Sequence, residues 1–198
     1  VVISRPTATD DRPSQAERSI SLSERTLLLG PSNVGKTRNT ARALETYVEI
    51  HDPDGVVVLE FAPVLERDGV LLGGRLDRFV SIPDAVWTGV LDAHAPRVEA
   101  DETVDATELA RINARHAAEV FQAAPSDPKA VFINDATIPF QHECSAPELL
   151  LAYCEPADCV VANAFESDEL GVDDPVSREE RTALETLRSW ADRTITLE

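Results

Sequence analysis

The residues whose types and spacing best suit chemistry lie at Gly30-Pro31-Ser32-Asn33-Val34-Gly35-Lys36-Thr37, which satisfies G-x-x-x-x-G-K-[ST] at every fixed position. The chemistry it suits is capture of a phosphate chain. Gly30 and Gly35 let the backbone turn tightly, so that successive N–H groups and the positive end of a following helix converge on one anion. Lys36 adds a mobile cation for β- and γ-phosphates, and the Thr37 hydroxyl suits Mg²⁺. With Arg38, these residues form the expected nucleotide-contacting set. The apolar run Thr26-Leu27-Leu28-Leu29 before the loop and the helix-like pattern after it supply the context that such a loop requires.

Other side chains extend that chemistry. Ala130-Val131-Phe132-Ile133-Asn134-Asp135 reads as an apolar strand ending in Asn-Asp. An Asp at that place, in one sheet with a phosphate loop, predicts a ligand for the Thr37-bound Mg²⁺, direct or through water, with Asn134 sharing the task. The competing use of Asp135 is as a turn former. Glu60 closes the run Val56-Val57-Val58-Leu59 and is the expected base that polarises an attacking water or acceptor hydroxyl; the alternative is a strand-end Glu facing solvent. His94 has the chemistry of a nucleophile toward an α-phosphate, against the commoner reading of a loop histidine. Arg97, Arg178 and Arg181 suit phosphate clamps, although surface arginines are commoner still. His142-Glu143-Cys144 looks like a ligand cluster, but three neighbours face one ion only in a special loop. Cys144, Cys154 and Cys159 lack C-x-x-C spacing, which predicts reduced, partly buried thiols rather than a disulfide framework or zinc knuckle.

These residues need strands and helices to hold them. The pattern predicts a short edge strand at 19–23, the loop strand at 26–29, and a helix through Ala41, Leu44 and Val48 that stops before Asp52-Pro53-Asp54-Gly55. A doubly covered strand at 56–59 follows, with a loop or hairpin over 64–77. The reading continues with a strand at 78–82 stopped by Pro83, a helix over 84–94, and an irregular acidic stretch at 95–105. Asp105 then caps a helix with Glu108 as capping-box partner and an inner stripe of Leu109, Ile112, His116 or Ala117, and Val120. After the 130–135 strand come a helix from Ser145 with Glu148, a strand at 159–162, a helix from Ser177 with Glu180, and a last strand at 194–197. Strands alternating with helices predict an α/β fold of three layers, a mostly parallel sheet with helices on both faces. Gly30, Glu60, Asp135 and Asn163 then gather at the carboxyl ends of the strands, where ligands bind.

The chain has 198 residues and a formal net charge of −18, and Lys36 and Lys129 are its only lysines; it contains no Met. Its length predicts one domain over 19–198 after a flexible, Pro/Ser/Thr/Asp-rich arm at 1–18. Such acidity resembles the cytoplasmic proteins of salt-loving archaea, in which concentrated salt screens self-repulsion. An acidic surface without a basic stripe disfavours nucleic acid as partner. No apolar run has the length of a membrane span and the start has no signal pattern, so the expectation is a soluble, cytoplasmic protein whose oligomeric state is left open.

The order of phosphate loop, helix, apolar strand, acidic residue and later Asp-terminated strand resembles the RecA-like branch of the P-loop NTPases and kinases. That resemblance implies ATP or GTP with Mg²⁺ as cofactors, Lys36, Glu60 and Asp135 as catalytic residues, and Thr37 with Asp135 as metal ligands. A fainter resemblance is to the cobinamide kinase/cobinamide-phosphate guanylyltransferase family. It rests on Gly30 to Thr37, His94 with Arg97, Asn134-Asp135 with Thr137, and Asn163, Gly171, Pro175, Arg178 and Arg181 before the strand after Ala191-Asp192. It implies nucleotidyl transfer through His94 as an alternative to terminal phosphoryl transfer. A nucleotide-dependent switch or assembly ATPase acting on a protein partner is the third reading.

Overall fold

The computed structural model of the chain describes residues 20–67, 70–101, 104–169 and 171–198, without the side chains of 65–67 and 70–73. The expected arm at 1–18 lies outside the described residues. The elements run β1 (Arg25–Gly30), α1 (Lys36–Ile50), β2 (Val56–Glu60), β3 (Val64–Arg67), β4 (Val70–Gly73), β5 (Trp87–Val90), α2 (Pro96–Glu99), α3 (Ala106–Ala123), β6 (Ala130–Asn134), α4 (Pro147–Cys154), β7 (Cys159–Phe165), α5 (Pro175–Trp190) and β8 (Arg193–Thr196). Six strands form one sheet in the order β5-β2-β6-β7-β1-β8, every pair parallel, while β3 and β4 make a separate antiparallel hairpin.

Both faces of the sheet are covered, which explains why β1, β2, β6 and β7 are almost continuous apolar runs. Leu28, Val56, Val58, Phe132 and Val161 point to one face and pack on Ala41, Leu44 and Tyr47 of α1. Leu27, Leu29, Val57, Val131 and Ile133 point to the other, against Ala117 of α3, Leu150 of α4 and Leu184 and Leu187 of α5. The result is the expected three-layer α/β architecture. Among the described residues no helix is long and apolar enough to cross a membrane.

Several local expectations give way to tertiary pairing. Residues 78–82 are not a strand: Leu76–Arg78 forms a 3-10 turn, continued by the Phe79 N–H on the Leu76 carbonyl. The helix expected over 84–94 is strand β5, which completes the exposed edge of β2 with Val57 opposite Trp87. Trp, Thr and Val suit a strand, and Gly89 lets α3 approach closely, since a Cβ there would meet Trp87 Cη2 and Val120 Cγ1 at 2.6 Å. The described part of the expected 19–23 edge strand, from Ile20, carries no strand. The acidic stretch at 95–105 contains α2, opened by Pro96.

Helix starts also shift. Asp105 caps α3 as expected by accepting from Thr107 N, but Glu108 binds Arg111 through both oxygens and closes no capping box. The buried face of α3 is Leu109, Ala110, Asn113 and Ala117, turned from the expected stripe. The next helix begins at Pro147 after Ala146, without a side-chain cap. The last begins at Pro175, capped by Asp174, so Ser177 lies in its first turn and Glu180 faces inward.

Candidate functional site

Four strands deliver their carboxyl ends to one region. β1 ends at Gly30, whose φ is 149° and whose missing side chain is required, because a Cβ there would lie 2.5 Å from the Leu197 carbonyl oxygen just past β8. The chain then turns through Asn33 (φ 64°) and Gly35 (φ 92°), both left-handed. Gly35 is the N-cap of α1, and no side chain caps that helix end or places an acid in its first turn. Its amides therefore retain their capacity for an anion.

Lys36 is 8% exposed and its Nζ donates to the carbonyls of Gly30 (2.9 Å) and Pro31 (2.5 Å). Burial holds its pKa below that of an ordinary lysine, against the pull of Asp135 and Glu169. The Thr37 hydroxyl donates to Asn134 Oδ1 at 3.2 Å. Asn134 is the hub of a buried polar network. Its Oδ1 also accepts from Asn163 Nδ2 (3.0 Å), and its Nδ2 donates to Glu60 Oε2 (2.9 Å) and to the Gly74 carbonyl (2.8 Å). Asn163 reaches on to Thr40 Oγ1 (2.9 Å), which anchors β7 to α1.

Asp135 follows β6 in the left-handed region (φ 56°), and its N–H donates to Asn163 Oδ1 at 3.1 Å. Its carboxylate lines the cleft and, among the described residues, accepts no hydrogen bond and forms no ion pair. Burial pushes its pKa up to about 6, with Lys36 opposing the rise. The cleft has a volume of about 470 Å³ and is lined by residues of the 30–38 loop on one side. Its other wall holds Arg97, Ile138, Phe165 and Glu180, and its rim is apolar at Phe79 and Val98. Glu180, 4% exposed, accepts from Thr137 Oγ1 and Gln141 Nε2, both at 2.9 Å, and pairs with Arg97 at 2.5 Å. The Lys36 ammonium and Arg97 guanidinium lie 5.9 and 5.7 Å from the centre of the Phe165 ring.

The structure thus brings Ser32, Asn33, Gly35, Lys36, Thr37, Arg38 and Asp135 around one cleft, whereas Gly30, Pro31 and Val34 of the expected set do not line it. It does not bring Glu60 there. Glu60 is 1% exposed, spends Oε1 on Leu76 N (2.6 Å) and Oε2 on Asn134, and its pKa is raised chiefly by burial. It is neither a solvent-facing strand end nor a group in reach of the cleft. His94 is also outside the cleft lining: Glu99 Oε2 binds its Nδ1 at 3.0 Å, and Asn113 holds both its backbone N–H and C=O. Of the three expected clamp arginines, Arg97 lines the cleft, while Arg178 binds the Asp173 carbonyl and Arg181 pairs with Asp168.

His142 Nδ1, half-buried, lies 3.0 Å from the exposed Cys144 Sγ, and among the described residues no group of three or more His, Cys, Asp and Glu could hold a metal. Cys154 and Cys159 are buried, and burial pushes both thiols up, Cys159 to about 12. Sequence reasoning missed Glu180, Gln141 and Phe165 as wall residues. A capping-box reading claimed Glu180, and moving that helix start back to Pro175 is what turns it inward. A scan against protein-family models finds none that matches this chain, and a search of curated proteins finds no match either.

Proposed function

We propose that the protein binds a purine nucleoside triphosphate with Mg²⁺ on residues 30–38 and hydrolyses or transfers its terminal phosphoryl group, as a RecA-like P-loop NTPase or kinase. One juxtaposition carries this reading: an uncapped helix N-terminus with a buried lysine, facing an unpartnered carboxylate across a single cleft. The donor set fits Mg²⁺. Thr37 and Asp135 supply one hydroxyl and one carboxylate, the sparse protein contribution expected of an ion that keeps water and takes its other ligands from phosphate. When bound, Mg²⁺ neutralises charge between the β- and γ-phosphates.

The residues then divide the work. Loop amides and the α1 terminus hold the phosphate chain. Lys36 exchanges its two carbonyl partners for phosphate oxygens, which bring the opposite charge that the carbonyls lack. Asn134 fixes the Thr37 hydroxyl, and Glu60 in turn fixes Asn134, so Glu60 acts as a positioning residue instead of a base. In the reaction the bond from the bridging oxygen to the γ-phosphorus breaks, its electron pair leaving on the nucleoside diphosphate, and one from a water or acceptor oxygen forms, the proton of that O–H passing to the transferred phosphate or to solvent. The apolar rim at Phe79 and Val98 suits the nucleoside or an acceptor.

Nucleotidyl transfer through His94 ranks second. Glu99 on Nδ1 orients the ring and leaves Nε2 as the free nitrogen, a feature of a nucleophile, yet His94 does not line the cleft. The switch or assembly ATPase has no observation of its own. Calorimetry with ATP and GTP, with and without Mg²⁺, tests the main reading: Lys36→Ala should abolish tight binding while leaving the fold intact. Equal binding by both proteins would overturn it. Label from γ-labelled nucleotide should leave as phosphate or on an acceptor, whereas α-label retained on the protein would promote the His94 reading.

A further inference from the structure

The amides of the 30–37 loop already have an anion beside them. Glu169 Oε1 accepts from the Ser32 N–H at 3.0 Å, and that hydrogen bond, helped by the charge of Lys36, holds the Glu169 carboxyl below the usual carboxylate range. A carboxylate here presents the charge and the acceptor oxygen that a phosphate group would present to the same amide.

Glu169 belongs to a short acidic stretch, residues 166–169, that leaves the end of β7. Its first residue is held to the sheet, because the Glu166 N–H donates to the Gly30 carbonyl at 3.0 Å, and its side chains reach α5 at two points: Glu166 pairs with Arg188, and Asp168 with Arg181 at 2.6 Å. These pairs are largely exposed, and exposed pairs hold weakly. Beside the stretch lies a second cavity of about 400 Å³, which shares Arg97, Phe165 and Glu180 with the main cleft. Beyond Glu166, Ser167 and Asp168 border that void, and residues 167–169 are tied to the body by the exposed Asp168–Arg181 pair, so a shift of these three residues leaves the sheet pairing intact. A triphosphate on the loop would meet the like charge of Glu169 at the Ser32 amide, so this carboxylate and the ligand do not share that amide.

We propose that Glu169 is a resident competitor for the phosphate chain, so that nucleotide reaches the Ser32 amide only when residues 167–169 shift off the loop. The proposal rests on the nucleotide reading above and adds a restraint to it. Apparent affinity is lowered by the fraction of molecules in which the contact is open. For one charge-assisted hydrogen bond at an exposed site, that fraction makes the loss about fivefold.

Two measurements test it in the full chain. Amide hydrogen exchange at Ser32 should quicken in Glu169→Ala without nucleotide, and Mg·ATP or Mg·GTP should bind Glu169→Ala about fivefold tighter than wild type, mainly through a faster on-rate. Glu169→Gln, which keeps an acceptor oxygen but loses the charge, should fall between the two. If Lys36→Ala abolishes binding but Glu169→Ala binds no tighter than wild type, the nucleotide reading stands and the competitor proposal falls. If neither wild type nor Glu169→Ala binds better than Lys36→Ala, the nucleotide reading falls and takes the proposal with it. Unchanged Ser32 exchange in Glu169→Ala would remove the contact itself.

Discussion

Asp135→Asn should make the nucleotide-free protein more stable and remove its response to Mg·nucleotide. The substitution is conformationally mild, because Asn tolerates the left-handed φ of 56° as well as Asp does. It therefore isolates the charge. Burial raises the Asp135 pKa from 3.8 to about 6. The native state binds the proton more tightly than the unfolded chain, so this carboxyl's contribution to stability is present below 3.8 and is lost as pH rises through about 6. Linkage puts the resulting cost at about 1.5 kcal/mol at pH 5 and about 3 kcal/mol at pH 8. Urea melts of both proteins with a chelator, at constant salt, should show the mutant ahead by a margin that widens between those pH values. Saturating Mg·nucleotide should then reverse the order, since about a thousandfold excess over Kd adds about 4.1 kcal/mol to wild type alone. A mutant no more stable than wild type at pH 8, or one that binds Mg·nucleotide equally well, would refute the reasoning and leave Asp135 as a turn former.

Three further outcomes follow from the same geometry. Glu60→Gln places an amide N–H against either Asn134 Nδ2 or Leu76 N, which should cost about 1–3 kcal/mol and weaken nucleotide binding together with stability; a roughly 100-fold loss of turnover at unchanged affinity and stability would restore Glu60 as the base. Gly30→Ala should cost about 2 kcal/mol or more and displace the loop, read as a lowered urea midpoint, because its Cβ would meet the Leu197 carbonyl oxygen at 2.5 Å. Melting temperature should climb steeply from low to molar salt, as screening shortens from roughly 30 Å at 0.01 M to about 3 Å at 1 M and relieves the repulsion within a chain of net charge −18; a flat series would contradict that account.

What the sequence made legible was the part of the site that is local in the chain. Residues 30–37 announce their geometry through glycines at fixed spacing, and the strands of the sheet centre announce themselves as apolar runs because both faces are covered. Legibility ended where position depends on distant chain. β5 reads as a helix by pattern and becomes a strand because β2 offers an unpaired edge. Glu180 reads as a helix cap, and the Asp174 cap three residues before Ser177 hands it to the cleft wall. Glu60 sits at the expected strand end, but Asn134 on the neighbouring strand and Leu76 in a distant turn consume its oxygens.

Charge is the point at which global composition and local chemistry part. A net charge of −18 argues against polyanionic partners at the surface, yet the cleft gathers Lys36, Arg38, Arg78 and Arg97 against two acids, Asp135 and Glu180. Glu180 and Arg97 cancel as an ion pair, so the formal excess of cations in the lining rests on Lys36 and Arg38 against Asp135, with Arg78 beside them. The cleft is therefore a cationic recess in an acidic protein. Low-dielectric walls focus such a field, whereas concentrated salt screens the surface around it. On the proposed reading a triphosphate with Mg²⁺ is drawn to that recess, while the net acidity of the chain disfavours an extended nucleic acid. The Glu169 carboxylate on the Ser32 amide already feels the positive charge of Lys36, as an incoming phosphate would.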